Sequence, residues 1–228
     1  DYLTLGTNYL ANNYHSLGLT MGTYLFKKVA LSATFSGQED NLTNRQLYTT
    51  RGYVYSANAS TRFGEHFNLS AAYSGYLTTQ ADGTERANDS TQVKRIMHSV
   101  SVTPTFTTEN DLLAHTASVS TSWSRNKDLN RFATGVGDYT SPAIGATYDL
   151  GVKPWETDFI ASISHQNTRG SGTRYTSDVA SITTSRSFLK EKNLNLSATV
   201  SMCYNEVERL SKSLSVGFDM AASYSLKK

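Results

Sequence analysis

Cysteine is almost absent. The lone Cys203 leaves no internal disulfide to form and no cysteine pair from which a zinc site is built, so its expected role is that of a small residue in a strand. No run of about 18 apolar residues exists anywhere, which excludes a membrane-spanning helix. If this chain crosses a membrane, it crosses with strands. The net charge is only +2, and no basic cluster is larger than a pair such as Lys27-Lys28. Nucleic acid is therefore left without an electrostatic footprint. The first residues, Asp1-Tyr2-Leu3-Thr4, carry neither a basic nor an apolar leader region, so a secretory signal is expected to have been removed or to lie upstream.

Against these absences stand 14 Tyr and 9 Phe in a chain that is only 38% hydrophobic. Low hydrophobicity alone fits disorder; abundant aromatics and regular patterning do not. The patterning is strict alternation, the period that puts one residue type on each face of a pleated strand. In the last segment Leu214, Val216, Phe218, Met220, Ala222, Tyr224 and Leu226 alternate with Ser, Gly, Asp and Ala. Leu194, Leu196, Ala198, Val200, Met202 and Tyr204 repeat the arrangement before it, ahead of a connecting loop at Asn205 to Lys212. Similar segments centre on Val29–Phe35, Tyr53–Phe63, Phe67–Tyr73, Ile96–Phe106, Leu113–Trp123 and Phe159–Ile163, with weaker ones at Leu3–Tyr9, Leu17–Leu25, Thr140–Leu150 and Ala180–Phe188. Together they predict about twelve strands. Pro104 and Pro142 fall inside apparent strands, where each removes a ladder donor; they are expected to mark breaks or bulges, unless the register read from the alternation is itself in error there.

The predicted connections alternate in length. Short polar turns lie at Lys27-Lys28, Gly64-Glu65-His66, Glu109-Asn110, Gly151 to Pro154 and Lys190 to Asn193. Longer hydrophilic loops lie at Gln38 to Gln46, Thr79 to Arg95, Ser124 to Gly135 and Thr168 to Arg174. That asymmetry is what outer-membrane barrels show. The fold expected is thus all-β, an antiparallel up-and-down transmembrane β-barrel forming one domain over residues 1–228, either whole or part of a larger barrel. On this reading the short turns and both chain ends face the periplasm, and lipid of the bacterial outer membrane is the first partner. A soluble sandwich, solenoid or adhesin is the competing reading. It is disfavoured because the polar face is rich in Ser and Thr and poor in the Lys and Glu that solvate exposed sheets.

Aromatic residues are expected to collect where strands leave the membrane. Phe26, Phe63, Phe67, Phe106, Trp155, Phe159 and Phe188 flank the short turns and form one candidate girdle, while Tyr73, Trp123 and Tyr204 approach the long loops. The inward set is dominated by small hydroxyl residues, Thr116, Ser118, Ser120 and Ser122 among them, which are too small to fill a barrel of about twelve strands. The interior therefore holds water, or a plug contributed by a loop or a further domain. Arg62, Asp149, Asp158 and Asp219 are candidate lumen-facing charges, suited to tuning ion passage, pairing with a plug, or hydrogen-bonding across strands.

No chemistry-bearing motif emerges. His15, His66, His98, His115 and His165 have no metal-ligand spacing, and neither a metal nor a cofactor is expected. Gln38-Glu39-Asp40-Asn41 has the residue types of a cation-binding loop but not its spacing, and reads as a solvated turn. Ser, His and Asp are plentiful, yet no nucleophile motif accompanies them, so a hydrolase with a rim site is the alternative rather than the expectation.

At the amino end, "DYLTLGTNYLANNYHSLGLT" followed by "LFKKVALSATFSGQEDNL" resembles large outer-membrane barrel proteins of Bacteroidota. The resemblance rests on a Y-x-(S/T)-LG element before a polar turn and a Q-x-DNL element after the next hairpin, and covers about the first 45 residues. It implies that further sequence precedes this element and that the chain is the C-terminal part of a larger barrel. The carboxyl end, "VGFDMAASYSLKK", looks like a terminal strand read by barrel-assembly machinery, although it ends in Lys227-Lys228 rather than an aromatic residue. The expected function is a non-enzymatic conduit, or a membrane-embedded subunit of an envelope complex with other envelope proteins or a plug as partners.

Overall fold

The computed structural model describes residues 2–10, 14–26, 28–40, 48–82, 93–129, 137–170, 172–188 and 194–224. Within them lie twelve strands: β1 (Tyr2–Leu10), β2 (Tyr14–Leu25), β3 (Val29–Glu39), β4 (Tyr48–Phe63), β5 (Phe67–Asp82), β6 (Val93–Glu109), β7 (Leu113–Asp128), β8 (Tyr139–Val152), β9 (Thr157–Gly170), β10 (Thr173–Phe188), β11 (Leu194–Val207) and β12 (Ser211–Tyr224). They form one sheet in chain order, and every neighbouring pair is antiparallel. Among the described residues no ladder joins β1 to β12, so the sheet is open. Tyr2 and Tyr224 lie at the same end of it, the end that carries the β2–β3, β4–β5, β6–β7 and β8–β9 turns.

The absence of a core is informative. No described hydrophobic residue is buried, while Met21, Phe35, Ile163, Ile182, Val200, Phe218 and Met220 are all exposed. A soluble domain gains its stability by packing one layer against another. Here a single layer presents its apolar side chains to the surroundings over its full width, far beyond the patch size that a water-soluble surface tolerates.

Register is staggered as a curling sheet requires. Following ladder partners from Phe63, beside the β4–β5 turn, leads through Phe67, Phe106, Ala117, Tyr148, Ala161, Ile182 and Val200 to Phe218, well inside β12 rather than at its end. Small hydroxyl side chains such as Thr20, Ser32, Thr34 and Ser36 are half-buried, whereas the larger Leu17, Met21 and Phe35 between them are exposed. That inversion of size and exposure is what a sheet produces when it curls with its hydroxyl face inward.

The short turns are locally specified. Asn110 Oδ1 accepts the backbone N–H groups of Leu112 at 2.9 Å and Leu113 at 2.8 Å, closing the β6–β7 connection. Gly64 adopts φ +63 in the β4–β5 turn, a conformation that glycine reaches without steric cost. A 3-10 turn at Lys153–Trp155 makes the β8–β9 connection, so Gly151, expected in that turn, belongs to β8.

Two expectations need correction. Pro104 and Pro142 break neither strand: Pro104 pairs with Leu69 and Pro142 with Trp123. Their missing donors interrupt only the ladder on the other side, and register resumes unchanged at Thr105↔Ser118 and Ala143↔Gln166. Thr168 to Arg174 is no loop, because β9 runs to Gly170 and β10 starts at Thr173. Asn205 to Lys212 likewise contracts to a turn at 208–210. Strands extend into polar sequence because backbone pairing continues where apolar alternation stops. The parts of the other predicted connections at Lys27, 41–47, 83–92, 130–136 and 189–193 lie outside the described residues, as do residues 225–228 of the carboxyl end.

Candidate functional site

Ladder partners share a face, so the register determines which side chains lie together. One face carries Leu19, Phe35, Tyr55, Val100, Val119, Ile144, Ile163, Ile182, Val200 and Phe218 across β2 to β12. No strand is out of phase with its neighbours. A slip of one residue at any ladder exchanges the two faces from that point onward, yet the eleven ladders keep one apolar side throughout.

The opposite face is a hydroxyl surface knitted across the strands. Thr20 and Thr34 pair at 3.3 Å, Ser162 and Ser181 at 2.7 Å, and Thr183 and Thr199 at 3.0 Å, each pair directly opposite in its ladder. Cross-strand hydroxyl pairs of this kind stabilise a sheet by roughly 0.2–1 kcal/mol each. Beside Pro142 the network fills the interrupted ladder. Ser141, only 5% exposed, has its Oγ 2.7 Å from Thr168 Oγ1 and accepts a hydrogen bond from Gln166 Nε2 at 2.9 Å.

The four expected inward charges, Arg62, Asp149, Asp158 and Asp219, occur at positions of this hydroxyl face, alongside Asn68, Ile160, Ser185 and Thr199 respectively. Asp149 and Asp158 are diagonal neighbours on the paired strands β8 and β9, while Arg62 on β4 and Asp219 on β12 stand apart from them. Arg62 reaches back to the backbone oxygen of Glu65 in the adjoining turn.

Of the expected girdle, Phe63, Phe67, Phe106, Trp123, Phe159, Phe188 and Tyr204 occupy positions of the apolar face, and Phe26 and Trp155 stand in turns. Phe63 and Phe67 lie with ring centroids 5.9 Å apart, and the Arg186 guanidinium stacks 4.9 Å from the Phe188 ring centroid. Nearer the long connections a second aromatic group spans β4 to β6: Tyr55, Tyr73 and His98. Tyr73 Oη lies 2.8 Å from His98 Nδ1 with the two rings stacked at 6.0 Å, and Tyr55 approaches both.

The partners of two histidines come from neighbouring strands and are not visible in local sequence. His115 Nδ1 lies 2.7 Å from Tyr148 Oη, and His165 Nδ1 lies 2.6 Å from Asp178 Oδ1. Register between strands brings these pairs together. Among the described residues no group of three potential metal ligands forms, and no hydroxyl nucleophile hydrogen-bonds the His165 ring. The side chain of His15 and residue Asn41 of the acidic turn lie outside the described residues.

No protein family matches the sequence, and no curated protein is similar to it in sequence. Solved structures are similar in fold. The closed form of the ferric-catecholate import receptor Fiu from E. coli K12 superposes with a TM-score of 0.62 at 9% identity, over 99% of this chain and 48% of the receptor. BauA, the ferric preacinetobactin receptor of Acinetobacter baumannii, gives 0.62 at 8% identity over 96% of this chain and 44% of its own. The siderophore receptor PiuA from the same organism gives 0.58 at 8% over 97% and 45%. The chain spans about half the length of these structures. What is shared is the fold, the antiparallel up-and-down sheet of an outer-membrane β-barrel.

Proposed function

We propose that the chain is a non-enzymatic wall segment of a bacterial outer-membrane transport barrel, with its apolar face against lipid and its Ser/Thr face lining a polar passage. The observation that carries this reading is the unbroken division of faces across eleven staggered ladders. Such a division suits a wall with hydrocarbon on one side and water on the other. It has no use in a soluble sheet, whose apolar face would need a second layer.

The likeness to receptors for ferric complexes, each about twice as long, supports a place within a larger barrel and small solutes as the class of cargo. The free edges of β1 and β12 are then the sites at which further strands complete the wall, and the passage takes water or a plug contributed by another segment or envelope protein. Short turns and the ends near Tyr2 and Tyr224 face the periplasm on this reading. The amino-terminal resemblance is what favours a place among the large outer-membrane barrels of Bacteroidota.

The test is partition of the purified full-length protein that carries this segment between detergent micelles and buffer, with gel mobility compared before and after heating. Detergent dependence with a heat-modifiable shift is expected, followed by ion conductance in a planar bilayer if the passage is open. A soluble, heat-insensitive protein overturns the membrane assignment.

A further inference from the structure

The apolar face is charged very differently at its two ends. At the end of the long connections its strand positions include Lys94, Arg125, Lys127, Arg169 and Arg174, on β6 to β10. At the turn end, Arg186 is the one basic strand residue on this face among the described residues. Two further cations of the upper rim are neutralised, Arg51 by Glu39 at 2.8 Å and Lys212 by Glu206 at 3.1 Å. The five on β6 to β10 form no ion pair among the described residues.

Arg169 and Arg174 are direct ladder partners, and Arg125 shares their row through Thr140. Like charges placed opposite one another weaken a sheet unless something lies between them. Arg169 Nε donates to Asn167 Oδ1 at 3.3 Å, and Glu208 lines one recess with Arg169 and Arg174, its backbone N–H donating to Arg174 O and its carboxylate 3.9 Å from Arg209 Nε rather than paired with either arginine. Beyond one intervening row of the same face, Asn167, Thr176 and Glu206, a groove of about 520 Å³ opens in the apolar face, lined by Ile144, Ala146, Ile163, Ala180 and Met202. The His165–Asp178 pair and Tyr204 border the same groove.

We propose that this face binds a phosphate-bearing lipid of the leaflet on the long-connection side, its headgroup on Arg169, Arg174 and Arg125 and one acyl chain in the groove. The proposal rests on the membrane reading above. Guanidinium groups take phosphate in bidentate fashion, and their long stems let the charge rise to the headgroup layer while the aliphatic part stays on the apolar surface. The polar His165, Asp178 and Tyr204 fall between headgroup and chain, at the depth of the lipid's linkage region. The anion also relieves the repulsion between Arg169 and Arg174, which links lipid binding to the stability of the β9–β10 hairpin.

The full chain, inserted into phosphatidylcholine vesicles with and without phosphatidylglycerol, is extracted into neutral detergent and its retained lipid phosphorus measured. Selective retention of phosphatidylglycerol is expected. It should weaken about thirtyfold in R169Q/R174Q, since each basic residue at an anionic lipid surface contributes roughly a factor of five. R169K/R174K keeps the charge but loses the bidentate fork, so its retention is expected to fall between the unmodified chain and R169Q/R174Q, which separates charge from misfolding. Equal retention of both lipids, an unchanged R169Q/R174Q, or displacement by inorganic phosphate alone overturns the proposal. Heat-modifiable mobility is read on every sample. Insertion with a shift but without lipid selectivity sinks only this inference, whereas failure of the unmodified chain to insert in either vesicle sinks the membrane reading with it.

Discussion

Gly75 lies directly opposite Tyr55 in the β4–β5 ladder, and the Tyr55 ring occupies the space that a Cβ on Gly75 would take. The aromatic ring covers the backbone of its partner, and from there it reaches Tyr73 and His98. Gly75→Ala is expected to push Tyr55 out of this group and to cost about 1–3 kcal/mol, the usual penalty for overpacking. Urea unfolding in detergent, followed by intrinsic fluorescence, measures it. In a double-mutant cycle with Tyr55→Ala the two losses should not add, because the same contact is removed twice; additive losses would mean that the ring and the glycine are energetically independent.

The assignment of faces is tested at two adjacent residues. Val200 sits in the middle of the apolar face, in the row Ile182–Val200–Phe218, and Ser201 sits on the hydroxyl face. Val200→Arg should destabilise the membrane-inserted protein by about 2–4 kcal/mol, the depth-dependent cost of a cation against lipid, with Ser201→Arg costing far less. Reversible unfolding from vesicles discriminates the two; the opposite ranking would place lipid on the hydroxyl side.

Cys203 provides a chemical probe of the same question without any substitution. It is a hydroxyl-face residue, opposite Val179 and Ser215. A charged, membrane-impermeant maleimide should label it in the vesicle-inserted chain. Met202→Cys in a Cys203→Ser background should instead react only with a lipid-soluble reagent. Protection of Cys203 from the charged reagent in the isolated chain would argue against a watered passage.

Ser141 compensates for the proline beside it. Replacing it by Ala strands Thr168 Oγ1 and Gln166 Nε2 at a nearly closed position. A loss of about 1–3 kcal/mol is expected from the unsatisfied polar groups. Pro142→Val returns a backbone donor to the β8–β9 ladder and should cost less than Ser141→Ala; thermal unfolding of the two variants in one detergent settles their order.

Period-two alternation was enough to place nearly all twelve strands, because in a single layer facing two solvents each residue's side is decided by local parity alone. Leu194 to Tyr204 and Leu214 to Tyr224 are legible without any partner. The same signal ran out at the rims. Thr168, Arg169 and Arg174 carry no apolar alternation, and only the ladder between them makes the segment a hairpin.

The sequence by itself therefore determined the strand content and the two chemistries of the faces, since both follow from which side chains hydrocarbon and water accept. The tertiary structure decided everything that depends on register between strands: that Pro104 and Pro142 stay within the sheet, that His165 meets Asp178, that Tyr55 covers Gly75, and that two arginines stand opposite one another above an apolar groove. Register is a relation between segments brought together by turns and backbone hydrogen bonds, and no single stretch of residues carries it.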